Sequence, residues 1–134
     1  MVMTALDLAT LALRLTAGAI FVAQGYRKLF AEPAASHGRA NLESMIRDRG
    51  FPMPEQLALL VSASELVGGS ALLLGIFTRL VTVPLAAILI VAIVGFKFRA
   101  GFLGGWDWPL SVLTLLIAIA LLGPGAISLD ALLG

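Results

Sequence analysis

The sequence predicts an all-α fold: an integral membrane four-helix bundle with a short amphipathic interfacial helix between the first and second spans. Hydrophobic residues make up 60% of the 134 residues and charged residues only 13%, whereas about a quarter of the residues in a soluble domain are charged. Four apolar stretches, each near the roughly 20 residues that a membrane-crossing helix needs, fill most of the length. The chain is therefore predicted to form one membrane domain, residues 1–134, without a separate soluble catalytic domain.

The four predicted spans are separated by recognisable turn and stop signals. They cover about 8–26, 56–77, 80–96 and 106–122. The connection at 77–79 is very short, so the second and third spans should form a tight antiparallel hairpin. Pro109 suits the first turn of the fourth span, and the sequence GPG at 123–125 ends that span.

The segment between the first and second spans is polar and carries several charges. Within it, NLESMIRDRG at 41–50 predicts a short helix with Asn41 as its cap and Gly50 at its end. Three apolar residues share one face of this helix: Leu42, Met45 and Ile46. The helix is expected to lie on the membrane surface, and the alternative is that it caps a vestibule in the bundle.

The composition excludes several classes of function. The chain has no cysteine, which excludes disulfides, thiolate metal sites, iron–sulfur ligation and a dithiol mechanism within the chain. His37 is the only histidine, so haem held by two histidines is excluded and no metal site is predicted. The net charge of +1 gives no reason to expect nucleic acid as a partner.

The basic residues predict how the chain is oriented. Asp7 precedes the first apolar run and Arg14 interrupts it, so this run is expected to be a retained span rather than a signal peptide. The side of the bundle that holds the N-terminus is called side A, and it carries Arg79 outside the spans. Side B carries seven basic residues: Arg27, Lys28, Arg39, Arg47, Arg49, Lys97 and Arg99. Side B, with the loop 28–55, should therefore be cytoplasmic, and both termini periplasmic or exterior.

Two charges lie inside apolar spans, where ionisable groups are costly and often functional. Arg14 and Glu65 come from antiparallel spans, and their depths differ by roughly 8 Å in a hydrocarbon layer of about 30 Å. We therefore predict that they form an ion pair within the bundle and are the candidate catalytic residues. The pair either fixes helix register or serves a proton or quinone site, and Gly68 and Gly69 keep the face of Glu65 open to a neighbouring helix.

A second polar cluster lies toward side B and supplies the candidate ligand-binding residues. Its members are Gln24, Lys28, Lys97, Trp106 and Asp107. A buried amide such as that of Gln24 needs hydrogen-bond partners, and Lys97 ends the third span at a similar depth. Trp106 and Trp108 are either interfacial anchors or the wall of a site for a ring-shaped ligand.

Four stretches together resemble the DoxX family of small bacterial membrane proteins. They are RLTAGAIFVAQGYRKLF at 14–30, GFPMPEQLALLVSASELVGGSALLLGIFTRL at 50–80, GFLGGWDWPL at 101–110 and LLGPGAISLD at 121–130. The resemblance implies a four-helix membrane bundle, a place in the bacterial inner membrane, and a relation to the membrane subunit of thiosulfate:quinone oxidoreductase. Many members carry histidine where this chain has Gln24 and Lys97, so the resemblance does not extend to histidine-mediated proton transfer or metal ligation.

Two functions follow as hypotheses. The first is a quinone-facing or anchoring subunit of a membrane redox complex, in which Arg14 and Glu65 tune or relay protons. The chain has no evident redox centre of its own, so possible quinone chemistry requires a bound cofactor or a partner subunit. The alternative is a non-catalytic accessory subunit packed against a larger membrane complex. The expected partners are the lipid bilayer and either other membrane subunits or further copies of the chain.

Overall fold

A computed structural model describes residues 4–31, 34 and 38–133 of the chain. Within these ranges every regular element is helical, which confirms the predicted all-α class. The α-helices are α1 (Ala5–Tyr26), α2 (Arg39–Asp48), α3 (Pro54–Leu74), α4 (Thr78–Val91), α5 (Asp107–Leu122) and α6 (Leu129–Leu133). His37 lies outside the described residues.

Four helical segments in the described part of the chain are long and apolar enough to cross a membrane. They are Ala5–Ala31, Pro54–Leu74, Thr78–Ala100 and Phe102–Leu122. The second of these ends three residues earlier than predicted, because Gly75 takes a left-handed conformation at φ 72° and closes α3 with a C-cap. The predicted tight hairpin between the second and third spans is confirmed, since α4 begins at Thr78.

Glycines bring α1 and α3 into close contact. A Cβ atom at Gly25 would lie 2.5 Å from the backbone nitrogen of Leu66, and one at Gly69 would lie 2.7 Å from that of Val22. No larger residue fits at either position without moving the backbones apart. The glycines therefore set the spacing of this helix pair and the register at which its charged residues meet.

All four spanning segments contribute to one apolar core. The fully buried members are Ala17, Phe21, Leu72, Leu85, Leu89, Val112, Leu116 and Ile119. They come from α1, α3, α4 and α5, at helical spacing on the inner face of each helix. The core occupies the middle of the bundle and the half nearer to side A.

The side A end is held together by the chain that follows α5. The carboxylate of Asp130 accepts hydrogen bonds from the backbone N–H groups of Phe77 and Thr78, at 2.8 and 2.9 Å, and so caps the start of α4. Partial burial raises the pKa of Asp130, but these hydrogen bonds and the nearby Arg14 charge outweigh it, and the net pKa is lowered. Arg79 donates to the carbonyl oxygen of Ala120 at 3.0 Å, near the end of α5. The start of α4 and the end of α5 therefore lie at the same end of the bundle.

Candidate functional site: a cavity at the side B end

A cavity of about 690 Å³ lies at the side B end of the bundle. Its walls come from α1, α3, α4 and the start of α5, and α2 forms part of its lining through Asn41, Leu42, Met45 and Ile46. The apolar face predicted for α2 is therefore turned toward the bundle, with Ile46 buried. Of the two interpretations of this helix, the vestibule cap agrees with the structure. The helix begins at Arg39, two residues before the predicted cap Asn41, and Gly38 takes the cap position.

Irregular backbone at the ends of three spanning segments shapes this cavity. α1 continues as a π-helical turn at Arg27–Ala31, and α4 continues as another at Ala92–Lys97. The segment Phe102–Trp106 before α5 has non-helical backbone at Leu103 and Gly104. A π-helical turn inserts one residue into a helix and re-aims the side chains after it, and such turns are frequent at functional sites.

The deepest polar feature of the cavity is an ion pair between Lys28 and Glu65. The Lys28 Nζ atom lies 2.7 Å from Oε1 of Glu65, and the two side chains are only 15% and 5% exposed. Gly25 explains the contact, because it lets α1 approach α3 beside Glu65 and Lys28 follows one turn later. Removal of either charge would leave the other buried without its partner.

The predicted pair between Arg14 and Glu65 is wrong. Arg14 instead donates from Nε to the carbonyl oxygen of Leu72 at 3.0 Å and from Nη2 to that of Leu73 at 3.2 Å, at the end of α3. Its Nη1 atom donates to the carbonyl oxygens of Pro124, at 2.9 Å, and Ile127.

The helix register gives the physical reason for this correction. Gly18 faces Gly69, so Glu65 lies level with residue 22 of α1, about 12 Å along the axis from Arg14. From the depths of the spans alone, the two charges were expected to lie only about 8 Å apart along the axis. The carbonyl groups at the end of α3, which have no partner within that helix, offer Arg14 other acceptors. Those carbonyl groups lie level with Arg14 and accept hydrogen bonds from its guanidinium group. Arg14 therefore lies at the side A end and does not line the cavity.

The structure brings most of the predicted ligand-binding residues together. Gln24, Lys28, Lys97 and Asp107 all line the cavity. Trp106 is not among the lining residues, and its ring packs edge-on against Phe102 with centroids 4.6 Å apart. Trp108, in the first turn of α5, lines the cavity instead, and Trp106 belongs to the irregular segment that precedes this helix.

Sequence reasoning missed Arg27, which it counted only among the basic residues of side B. Arg27 lines the cavity, its Nη2 atom donates to Oε1 of Gln24 at 2.9 Å, and its buried Nε atom has no hydrogen-bond partner among the described residues. Phe96 was missed as well, and it lies in the lining with the guanidinium of Arg49 5.4 Å from its ring centre. The turn that re-aims Arg27 leaves no signal in the apolar pattern of the sequence.

The cavity is apolar over most of its surface, with a few charged groups at defined places. Its lining contains the cations Arg27, Lys28 and Lys97 and the carboxylates Glu65 and Asp107. Lys28 and Glu65 neutralise each other. In the described ranges, no three His, Cys, Asp or Glu side chains are grouped as metal ligands. The arrangement suits an uncharged or weakly polar ligand that offers hydrogen-bond acceptors.

The fold and the site define a small four-helix membrane protein with a ligand-sized cavity at one end. The family model for DoxX matches residues 9–100, and the chain belongs to the DoxX family.

Two relatives match over most of their length. A Bacillus subtilis protein named "Putative oxidoreductase CatD" is 32% identical over 125 residues, which cover 92% of this chain and 86% of that protein. A Mycobacterium tuberculosis protein named "Uncharacterized membrane protein Rv3486" is 34% identical over 131 residues, covering 88% of this chain and 77% of that protein. No solved structure gives a significant match.

Proposed function

We propose that this DoxX-family protein is a membrane subunit of a redox complex and that it binds a quinone in the side B cavity. The observation that carries the proposal is the buried Lys28–Glu65 pair in the lining of a largely apolar cavity of ligand size. Small-molecule sites have volumes of about 300–1,000 Å³ and combine apolar walls with a few placed polar groups. The likeness to a relative named as an oxidoreductase supports the redox assignment.

The residues around the cavity have distinct parts in this proposal. The ammonium group of Lys28 has three donors, so it can donate to a carbonyl oxygen of the ligand while it stays bonded to Glu65. Trp108 and Phe96 provide aromatic surface for a ring. Reduction of a quinone to a quinol takes up two electrons and two protons. The electrons must come from a partner subunit or a further bound cofactor, because the chain's own side chains carry no redox centre.

The proposed setting is the bacterial inner membrane, with the side B end toward the cytoplasm. The seven basic residues predicted for side B support this orientation, because the positive-inside rule places such residues in the cytoplasm. A fusion of alkaline phosphatase after the last residue should then be active, and a fusion within the loop 28–55 inactive.

Two tryptophans allow a site-resolved test of quinone binding. Trp106→Phe leaves only Trp108, which lines the cavity, and Trp108→Phe leaves only Trp106, which does not. Titration of each purified variant in detergent with a short-chain quinone should quench Trp108 fluorescence saturably and more strongly than Trp106 fluorescence. Equal, linear quenching of both would show that the quinone only dissolves in the micelle, and the proposal would fail.

The second candidate function is a non-catalytic accessory subunit. Gln24 and Lys97 favour it: both lie in the cavity lining, at positions where the family resemblance implies histidine. Stoichiometric co-purification with a large membrane complex, whose activity is unchanged by Glu65→Gln, would support this alternative.

A further inference from the structure

Arg27 carries a buried donor without a partner in the lining of the cavity. Its Nη2 atom is bonded to Gln24, but its Nε atom is buried and has no hydrogen-bond partner among the described residues. A buried N–H group without a partner is rare in folded proteins and calls for a ligand, an ion or a water at that point. Because the group is a donor, the missing partner must be an acceptor.

Lys97 provides a second donor from another part of the bundle. It ends the π-helical turn that follows α4 and lines the cavity, and its side chain takes part in no hydrogen bond or ion pair among the described residues. α1 packs against α3 and α5, and α4 packs against the same two helices. α1 and α4 are therefore diagonal in the bundle, and Arg27 and Lys97 enter the cavity from diagonally opposed walls.

We infer that Arg27 and Lys97 each hold one of the two opposed carbonyl oxygens of a quinone ring lying across the cavity. This inference rests on the proposed function, since it assigns contacts to the quinone of that same site. Of the other three charges of the lining, Lys28 and Glu65 are bonded to each other, and the Asp107 carboxylate accepts the backbone N–H of Trp108 at 2.8 Å. A further donor of Lys28 can add to one of the two carbonyl contacts, but Lys28 already has a partner in the protein. A ligand with two acceptors on opposite edges satisfies both free donors at once.

The test compares two probes of similar shape, 2-methyl-1,4-naphthoquinone and 2-methylnaphthalene, which lacks the carbonyl groups. Arg27→Met and Lys97→Met should each weaken naphthoquinone binding about tenfold or more, because each removes a hydrogen bond from a charged donor. Both variants should bind 2-methylnaphthalene within about twofold of the wild type. Arg99→Met is the control, since exposed Arg99 is absent from the lining.

The outcomes separate the inference from the proposed function. A wild-type protein that does not bind the naphthoquinone contradicts the proposed function. A wild-type protein that binds it, together with Arg27→Met and Lys97→Met variants that bind it as Arg99→Met does, contradicts only the inference. Equal weakening of both probes would also overturn the inference, because the two residues would then shape the cavity without contacting the carbonyl groups. Size-exclusion elution and helical circular dichroism check that each variant is folded.

Discussion

Lys28→Met is expected to lower the free energy of unfolding by about 3–5 kcal/mol, because it leaves the buried carboxylate of Glu65 without its cationic partner. Glu65 is 4% exposed, and its carboxylate forms an ion pair with Lys28. The measurement is an SDS titration of the protein in mixed micelles, followed by circular dichroism. Arg47→Met is the matched control, since it removes an exposed pair with Glu43 and should cost less than about 1 kcal/mol.

A double variant makes this expectation specific to the pair. Lys28→Met combined with Glu65→Leu should recover most of the stability lost in either single variant, because apolar residues in place of both charges leave no buried charge uncompensated. Strictly additive losses would mean that Lys28 and Glu65 do not interact, and the side B pair would have to be abandoned.

Arg14→Met is expected to cost at least about 3 kcal/mol, because it leaves several carbonyl groups without a donor in the interior of the side A end. Arg14 is 2% exposed and donates to carbonyl oxygens of Leu72, Leu73, Pro124 and Ile127. The segment after α5 should also become open to proteolysis, which limited digestion and mass spectrometry detect. Arg14→Lys should lower the stability less than Arg14→Met does, because lysine keeps the positive charge but lacks the planar set of N–H donors of arginine.

The same variants separate the observed arrangement from the pair predicted from sequence. Arg14 and Glu65 are about 12 Å apart along the bundle axis, so the losses from Arg14→Met and Glu65→Gln should add within about 0.5 kcal/mol. A larger coupling energy between Arg14 and Glu65, with little coupling between Lys28 and Glu65, would support the Arg14–Glu65 pair predicted from the sequence.

The fold was predictable from sequence because each span carries its own length and composition signal. The apolar stretches, the glycine face of α3 and the stop at 123–125 each depend on local sequence. The ends of the spans were less accurate. Gly75 ends α3 through a left-handed cap, and the helical segment that begins at Thr78 runs on to Ala100 as π-helical and 3₁₀ turns.

The partner of Glu65 could not be predicted from depth alone. Depth counted from the ends of the spans gave the wrong register, which in the structure is set by Gly18 against Gly69 and Gly25 against Leu66. The partners of Arg14 are also not charged residues, because its guanidinium group donates hydrogen bonds to backbone carbonyl groups at the end of α3. A search for opposite charges overlooks such backbone acceptors.

The cavity itself was predicted in part. The positions of Gln24, Lys97 and Asp107 near side B predicted a polar cluster of candidate ligand-binding residues, and all three line the cavity. The inward placement of Arg27 and the choice of Trp108 over Trp106 depend on π-helical turns and on non-helical backbone at Leu103 and Gly104. Each of these backbone irregularities turns a side chain by a fraction of a helical turn. The pattern of apolar residues in the sequence gives no sign of such a change.

Photolabelling of the folded protein with an azido-quinone, followed by peptide mapping, locates a bound quinone without any substitution. The label is expected on lining residues of the side B cavity, on the peptides that contain Gln24, Met45 or Trp108, and excess unlabelled quinone should remove it. A label confined to the lipid-facing groove between α4 and α5, near Thr82 and Ile117, or a label that excess quinone does not displace, would contradict the assignment of a quinone to this cavity.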